Sequence, residues 1–391
     1  MPDVFISRQP LINRQNRILA NRLSLHLLHG ATTQDAAKAL QALADHWPAA
    51  EKQVFLDCGK TPCDQALLEW SVPANTTLEV PAAAFAGPGA AALISGLQAT
   101  QPSLCLMLDE QAKIALASGL AFRFIGLDAR RFSAAQLQSL AAQTQPYGIG
   151  VAFNVADRTA FQCCLDAGVN AAASWFFKKP SGTPAKALNP GQAQIIRVLN
   201  LVRKNAEVKE IEAALKQDVT LSYKLLRYIN SAGFGLSCEI QSFRHAVTIL
   251  GYDKLNKWLS LLLATASRDP MAQALMHTAL CRARLMEILG HGLVDKSEYD
   301  NLFITGAFSM LEALLGVGMD KVLETMSLPE SIGDALLGRG GVYGPFLDLA
   351  IACEDGDGQA IAAQAGMLGL SAERFNLAQM QALAFADTME I

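Results

Sequence analysis

The sequence has few charged residues and lacks an apolar segment long enough to cross a membrane. Of its 391 residues, 17% are charged and 51% are hydrophobic, and the formal net charge is -4. The longest apolar stretch, WLSLLLATA, is too short to span a bilayer. Because there is no surplus of basic residues, nothing favours binding to nucleic acid or to an anionic membrane surface. The composition is that of a folded protein with a large core, and we predict neither membrane nor nucleic acid as a partner.

The sequence also lacks the signals of secretion and of a structural metal. Its N-terminal stretch, MPDVFISRQPLINRQNRIL, has polar residues every few positions and no apolar core of a signal peptide. The eight cysteines contain no CxxC pair and no histidine at zinc-finger spacing from a pair. We therefore predict a cytoplasmic protein whose cysteines are reduced and buried.

Two patterns divide the chain. Up to residue 182, short apolar runs such as VFLDC, TTLEV and FRFIGLD alternate with helical stretches rich in Ala, Leu and Gln. This alternation predicts a parallel sheet, either open or closed into a barrel. Residues 183–194 contain proline and glycine and are interpreted as a linker. From residue 195 to 391 amphipathic helical patterns follow one another, so the fold class is α/β followed by all-α.

An acidic pair follows one of the predicted strands. Asp109 and Glu110 come directly after the apolar run LCLML. The C-terminal ends of parallel strands are where such sheets and barrels carry their chemistry. Carboxylate oxygens are hard ligands suited to Mg²⁺ or Mn²⁺, so the pair is a candidate metal site.

The N-terminal part resembles EAL-type domains, the barrel phosphodiesterases that cleave cyclic di-GMP with divalent metals. Six short segments match in order, namely FISRQPLINRQNRILANRL, TLEV, LMLDE, FIGLD, VAFNVAD and AAASWFFKKP. Each segment alone has little specificity, but their common order and spacing favour this family. The resemblance implies a (β/α) barrel of EAL type. The matching part is short for the family, which leaves the completeness of the barrel open.

Departures from the family's pattern imply that the site is degenerate. The family's signature Glu, the Arg after it, its lysine, two further glutamates and a late Gln fall on Asn21, Leu25, Gly126, Phe153, Ala156 and Ala173. The acids that remain, as vestigial positions of the site, are Glu79, Asp109, Glu110 and Asp128. Two metal ions need several convergent carboxylates. We therefore predict no catalysis and no cofactor, with a single weakly held Mg²⁺ as the alternative.

The C-terminal part resembles the HDOD domain, a helical module common in bacterial signalling proteins. Residues 211–259 carry its Leu-Leu-Arg helix, its Asn-Ser-Ala-x-Phe turn and its Leu-Gly stop. The order of an EAL-like part and an HDOD part resembles the two-domain architecture called YuxH-like. HDOD domains resemble the HD phosphohydrolases in fold but lack their metal ligands, and this chain has no His-Asp dipeptide. His277 lies about where a first ligand would be, and we interpret it as a core or boundary residue.

The turn NSAGFG has two interpretations. Asn230 and Ser231 end a helix, and Phe234 lies between two glycines that permit positive φ. The turn either fixes the packing of helices or contacts a partner protein with its tip.

The sequence thus predicts a non-enzymatic signalling protein that acts through contacts with a protein partner. The alternative is a receptor that binds cyclic di-GMP without hydrolysis, and a residual phosphodiesterase is a third hypothesis. A receptor needs basic and aromatic contacts to phosphates and guanines, and the candidates are Arg8, Arg14, Arg22, Arg123 and Trp175. Their clustering at the C-terminal ends of the strands would favour the receptor, and a mouth filled by Phe153 would count against it.

Overall fold

The computed structural model describes residues 3–59, 64–179, 188–217, 240, 242–265, 267 and 269–389. The chain divides into two compact units. The barrel unit comprises Met1–Phe177 and Ile351–Met380, and the helical unit comprises Lys178–Ala350 and Gln381–Ile391.

Eight strands of the barrel unit close into a barrel in sequence order. They are β1 Asp3–Asn13, β2 Ile18–Leu28, β3 Gln53–Asp57, β4 Thr76–Pro81, β5 Ser103–Met107, β6 Phe124–Asp128, β7 Ile149–Phe153 and β8 Ala171–Ala173. β1 is antiparallel to both of its neighbours, β2 and β8, and the other neighbouring pairs are parallel. The predicted barrel is confirmed, and it is complete in its strands.

Short helices connect the strands of the barrel. They are Thr33–Ala42, Gln65–Leu68, Ala90–Thr100, Ala112–Leu116, Ala134–Thr144 and Arg158–Asp166. Several begin at side-chain caps that satisfy free backbone N–H groups, as in the reciprocal pairs Thr32 with Asp35 and Ser133 with Gln136. The helices after β3 and β5 have only 4 and 5 residues, which accounts for the short length of this part of the chain.

Side chains from seven strands pack together at the centre of the barrel. This cluster consists of Leu11, Ala20, Phe55, Cys105, Phe124, Val151, Phe153 and Ala173. Since successive side chains of a strand point to opposite faces, these residues identify the lumen side of each strand. On β2 the lumen side is therefore occupied by Ala20, Arg22 and Ser24.

A segment from the end of the chain completes the barrel unit. It contains the helix Gly358–Met367 and the first half of the helix Ala372–Thr388. Asn376 accepts a hydrogen bond from the backbone N–H of Ile6 at 3.0 Å, and it donates one to the carbonyl of Val4 at 2.7 Å. We predicted that residues 195–391 form one helical domain. In the structure, residues 351–380 of this range cluster with the barrel unit.

The helical unit confirms the predicted all-α region. Its described helices are Pro190–Arg203, Val208–Lys216, Phe243–Thr265, Ala272–Gly290, Tyr299–Phe308, Leu311–Leu315, Met319–Glu324 and Glu330–Gly338, followed by Gly344–Asp355, which ends in the barrel unit. Gly251, with φ 73°, interrupts the helix Phe243–Thr265. Asn189 caps the first helix, so the end of the predicted linker is helical, and residues 183–187 lie outside the described residues. No helix in the described ranges is long and apolar enough to cross a membrane.

Candidate functional site

A partly buried ion cluster occupies the lumen near the C-terminal ends of β3 and β4. It consists of Arg22, Asp57 and Glu79. Nε and Nη2 of Arg22 donate to the two carboxylate oxygens of Glu79 at 2.8 and 2.7 Å, and Nη2 also donates to Oδ2 of Asp57 at 2.8 Å. The guanidinium carbon lies 4.8 Å from the centre of the Phe153 ring. Bidentate pairing of this kind fixes the orientation of both partners.

Burial and charge act in opposite directions within the ion cluster. Burial raises the pKa of Glu79 to about 7, although the guanidinium of Arg22 opposes this rise. Burial works to lower the pKa of Arg22, but attraction by Glu79 and Asp57 outweighs it and holds that pKa above its ordinary value. Arg22 is therefore a permanent cation, and it balances charge on two carboxylates that would otherwise be available to a ligand cation.

The register of β2 corrects one expectation from the sequence. The family's signature Glu was expected at Asn21, but a ligand at the centre of a barrel must face the lumen. Arg22 faces the lumen and pairs with Gln9 of β1, whereas Asn21 pairs with Pro10 and points to the opposite face. The lumen position on β2 is therefore Arg22, one residue after Asn21. It can be identified from the sequence because side chains alternate between the two faces of a strand, so Arg22 shares the lumen face with Ala20.

The four predicted vestigial acids do not share one set of hydrogen-bond partners. Only Glu79 belongs to the ion cluster. The carboxylate of Asp109 accepts backbone N–H groups of Ala83 and Gln111 at 2.8 and 2.7 Å. Glu110 is exposed.

The remaining acid, Asp128, is bound by a neighbouring arginine. It accepts both the backbone N–H and the guanidinium of Arg130 at 3.0–3.2 Å. In the described part of the chain, no three His, Cys, Asp or Glu side chains are arranged to bind a metal ion. That these four positions are vestigial stays a prediction.

The expected lysine position is closed by packing. At Gly126 an added Cβ would overlap Sδ of Met107 and lie 3.0 Å from Cε2 of Phe153. Phe153 itself is fully buried against the lumen cluster. The side of the lumen next to Gly126 is therefore filled by the apolar side chains of Met107 and Phe153.

Replacing Gly126 with alanine should destabilise the barrel unit by about 1–3 kcal/mol, because the added methyl group overpacks the lumen. The measurement is urea unfolding followed by tryptophan fluorescence. Gly150 on the adjacent strand β7 provides the control, since a Cβ there would lie 3.8 Å from its nearest neighbour, Cα of Val169. Equal stability of G126A and G150A would show that the lumen has room for a larger side chain.

Sequence reasoning missed Asp57, the second acid of the ion cluster. It is the last residue of β3 and follows the apolar run VFL, just as Asp109 follows another strand. Ser24 also donates to its carboxylate at 3.0 Å. The signal was the same strand-terminal acid, and a search of every strand end would have found it.

The five predicted nucleotide contacts lie at different places. The guanidinium carbon of Arg8 lies 5.1 Å from the centre of the Trp175 ring, so these two residues are together. Arg22 belongs to the ion cluster. Arg14 donates to the carbonyl of Leu165 at 2.5 Å from the turn before β2. Arg123 precedes β6 and lies at the N-terminal end of that strand.

The structure describes one of the two sites that the sequence singled out in the helical part. His277 is largely buried and hydrogen-bonded to Asp387, as a core or boundary residue would be. The turn residues Asn230, Ser231 and Phe234 lie outside the described residues. Their contact with a partner stays a prediction.

Comparison with known proteins identifies the C-terminal module. Residues 189–311 match the model of the HDOD domain, so the predicted HDOD domain is confirmed. The chain is 29% identical over 214 residues to the cyclic di-GMP phosphodiesterase CdgJ of Vibrio cholerae, covering 54% of this chain and 50% of that protein. It is 25% identical over 213 residues to the uncharacterized protein YuxH of Bacillus subtilis, covering 52% of each. The chain thus spans about half the length of these curated relatives.

Solved EAL domains also overlay part of the chain. The EAL domain of FimX from Pseudomonas aeruginosa, bound to c-di-GMP, does so with 14% identity and a TM-score of 0.36, covering 46% of this chain and 91% of that domain. The assignment of a barrel depends on the strand order and pairing rather than on this overlay.

The relative from Vibrio cholerae overturns one prediction. The sequence led us to predict that the chain is not an enzyme, but a protein 29% identical to it over 214 residues is named a cyclic di-GMP phosphodiesterase. The chain is related to proteins of cyclic di-GMP signalling, and the loss of carboxylates from the expected positions is not a sufficient reason to exclude activity.

Proposed function

We propose that this chain is a bacterial signalling protein that acts through protein–protein contacts made by its helical unit. The observation that carries the proposal is the HDOD match over residues 189–311, which lie within that unit. The two curated relatives are bacterial, and one is named for cyclic di-GMP. In this proposal the turn with Asn230, Ser231 and Phe234 contacts the partner, since aromatic side chains carry much of the binding energy of interfaces.

Replacing Phe234 with alanine should abolish capture of the partner by the full-length protein while its melting temperature stays unchanged. The measurement is quantitative mass spectrometry of proteins that the tagged chain retains from lysate of its own bacterium. Tyr147→Ala is the matched control, because Tyr147 is an aromatic residue of the barrel unit with 51% exposure. A partner retained equally by both variants, or a lowered melting temperature of F234A alone, would contradict the role of the turn.

A second proposal is that the barrel unit binds cyclic di-GMP. The specific observation in its favour is Arg8 beside Trp175. Arg8 is 4% exposed and Trp175 is 9% exposed, so the proposal requires that the nucleotide uncovers them on binding. A guanine can then stack on the indole while the guanidinium meets a phosphate. The lumen packed around Phe153 counts against deep insertion of the nucleotide. Binding would therefore be expected near Arg8 and Trp175 rather than inside the barrel.

Calorimetric titration with cyclic di-GMP should give saturable binding that Arg8→Ala weakens by about tenfold or more, the loss expected for a charged hydrogen bond. Arg123→Ala is the control for removing an arginine that lies over an aromatic ring, that of Phe124. Because Arg8 is buried and Arg123 is exposed, melting curves of both variants check that each is folded. Titrations with and without Mg²⁺ test the prediction that the barrel needs no cofactor. Chromatography of the same samples for linear dinucleotide measures hydrolysis directly. No heat from a folded protein would refute the binding proposal.

A further inference from the structure

A cysteine, a histidine and an aspartate of the helical unit form a hydrogen-bonded chain, here called the thiol site. Cys281 and His277 are one turn apart on the helix Ala272–Gly290, and Asp387 lies near the end of the helix Ala372–Thr388. Sγ of Cys281 lies 3.7 Å from Nδ1 of His277, and Nε2 of His277 lies 2.9 Å from Oδ1 of Asp387. Neither the HDOD match nor the proposed function accounts for this arrangement.

The geometry of the thiol site sets the proton positions. A carboxylate accepts only, so Nε2 of His277 must donate to Asp387. The lone pair of Nδ1 then faces the thiol of Cys281 and can accept its proton. The product is a thiolate beside an imidazolium, and the imidazolium is stabilised by the carboxylate on its far side.

Electrostatics of the thiol site favour the charged histidine. Burial alone would lower the pKa of His277, but Cys281 and Asp387 together raise it to about 9. The next charged group along the helix, Arg282, donates a hydrogen bond to Oγ of Ser309 at 2.8 Å, and Arg284 and Glu287 pair with each other at 2.6 Å. A cationic histidine beside a thiol is the arrangement that makes cysteines nucleophilic in proteins.

We propose that Cys281 is a reactive thiol whose oxidant belongs to the hydroperoxide class. The thiolate attacks one oxygen of the peroxide, so an S–O bond forms and the O–O bond breaks. Sulfur is oxidised to a sulfenic acid, and the peroxide is reduced to an alcohol, or to water from hydrogen peroxide. The imidazolium of His277 gives its proton to the departing oxygen. The residue is only 5% exposed, so the site selects small oxidants.

The experiment treats the full-length protein with hydrogen peroxide at pH 6 for increasing times and then removes the peroxide with catalase. Dimedone is added under denaturing conditions, so that burial does not limit its access, and mass spectrometry measures the labelling rate of each cysteine. Cys281 should be labelled about tenfold faster than the exposed Cys163, because Nδ1 of His277 lies beside its sulfur. Cys164 is the buried comparator without a histidine. Burial raises its pKa to about 11, and it should stay unlabelled.

Two variants and one measurement on the native protein complete the test. His277→Gln and Asp387→Asn should each slow labelling of Cys281 by about tenfold, with melting curves as the folding control. In the unaltered protein, Cys281 should be labelled faster than the buried Cys164. Labelling of Cys281 no faster than that of Cys164 would overturn the proposal whether or not the variants fold.

Discussion

Replacing Arg22 with methionine is expected to destabilise the barrel unit by about 3–5 kcal/mol, because the change leaves a buried carboxylate without its partner. Glu79 is 3% exposed and receives two hydrogen bonds from Arg22, and Asp57 receives a third. Methionine has a similar length and is apolar, so it fills the space without supplying charge. Urea unfolding followed by tryptophan fluorescence measures the change, since Trp47, Trp70 and Trp175 all lie in the barrel unit.

The control for Arg22→Met is the double variant Arg22→Met with Glu79→Leu. Removing both charged groups of a buried pair is often close to neutral, so the double variant should recover most of the lost stability. The pH dependence of the single variant is a further check. Burial raises the pKa of Glu79 above that of the unfolded chain, so the folded state holds the proton over a range where the unfolded state has lost it.

The sign of this pH effect follows from the raised pKa. Stability contributed by protonated Glu79 is fully present below the unfolded pKa near 4.5 and is lost as the pH rises through about 7. Without Arg22 the loss should be larger at pH 8 than at pH 5. An Arg22→Met protein as stable as the unaltered chain at pH 8 would show that Glu79 is neutral or hydrated in the lumen.

Features that depend on short stretches of sequence could be predicted. The resemblance of TLEV to an EAL-type segment identified Glu79. The alternation of strands and helices predicted a parallel sheet, and the resemblance predicted that it closes into a barrel, as it does. The partner of Glu79 was harder to find, because an error of one residue on β2 turns the expected side chain from the lumen to the opposite face. Arg22 was considered as a nucleotide contact, but its pairing with Asp57 depends on which strands are neighbours in the barrel.

Contacts between distant parts of the chain were not predictable. Asn376 and Ile6 are separated by 370 positions, and no local feature of either segment indicates the other. The same holds for His277 and Asp387, whose carboxylate is supplied from 110 positions away. A helical periodicity predicts that the helix Ala372–Thr388 exists but not which strand its buried amides meet.

The last helix should be essential to the barrel through the backbone of β1. The described pairing of β1 with β8 covers Leu11–Asn13, so upstream backbone groups on that edge need other partners. The side-chain amide of Asn376 is the partner of the Val4 carbonyl and of the Ile6 N–H group. Gln379 donates a hydrogen bond to the carbonyl of Ile6 at 2.8 Å.

Asn376→Leu is therefore expected to cost about 2–5 kcal/mol, because it leaves one buried N–H and one buried carbonyl unsatisfied. Fluorescence-detected urea unfolding measures this loss, and hydrogen exchange at Ile6 should become faster. Glu373→Leu is the control, since Glu373 is exposed on the same helix and makes no comparable contact with β1 in the described part of the chain. If N376L and E373L have equal stability, solvent rather than Asn376 satisfies the edge of β1, and the assignment of residues 351–380 to the barrel loses its energetic basis.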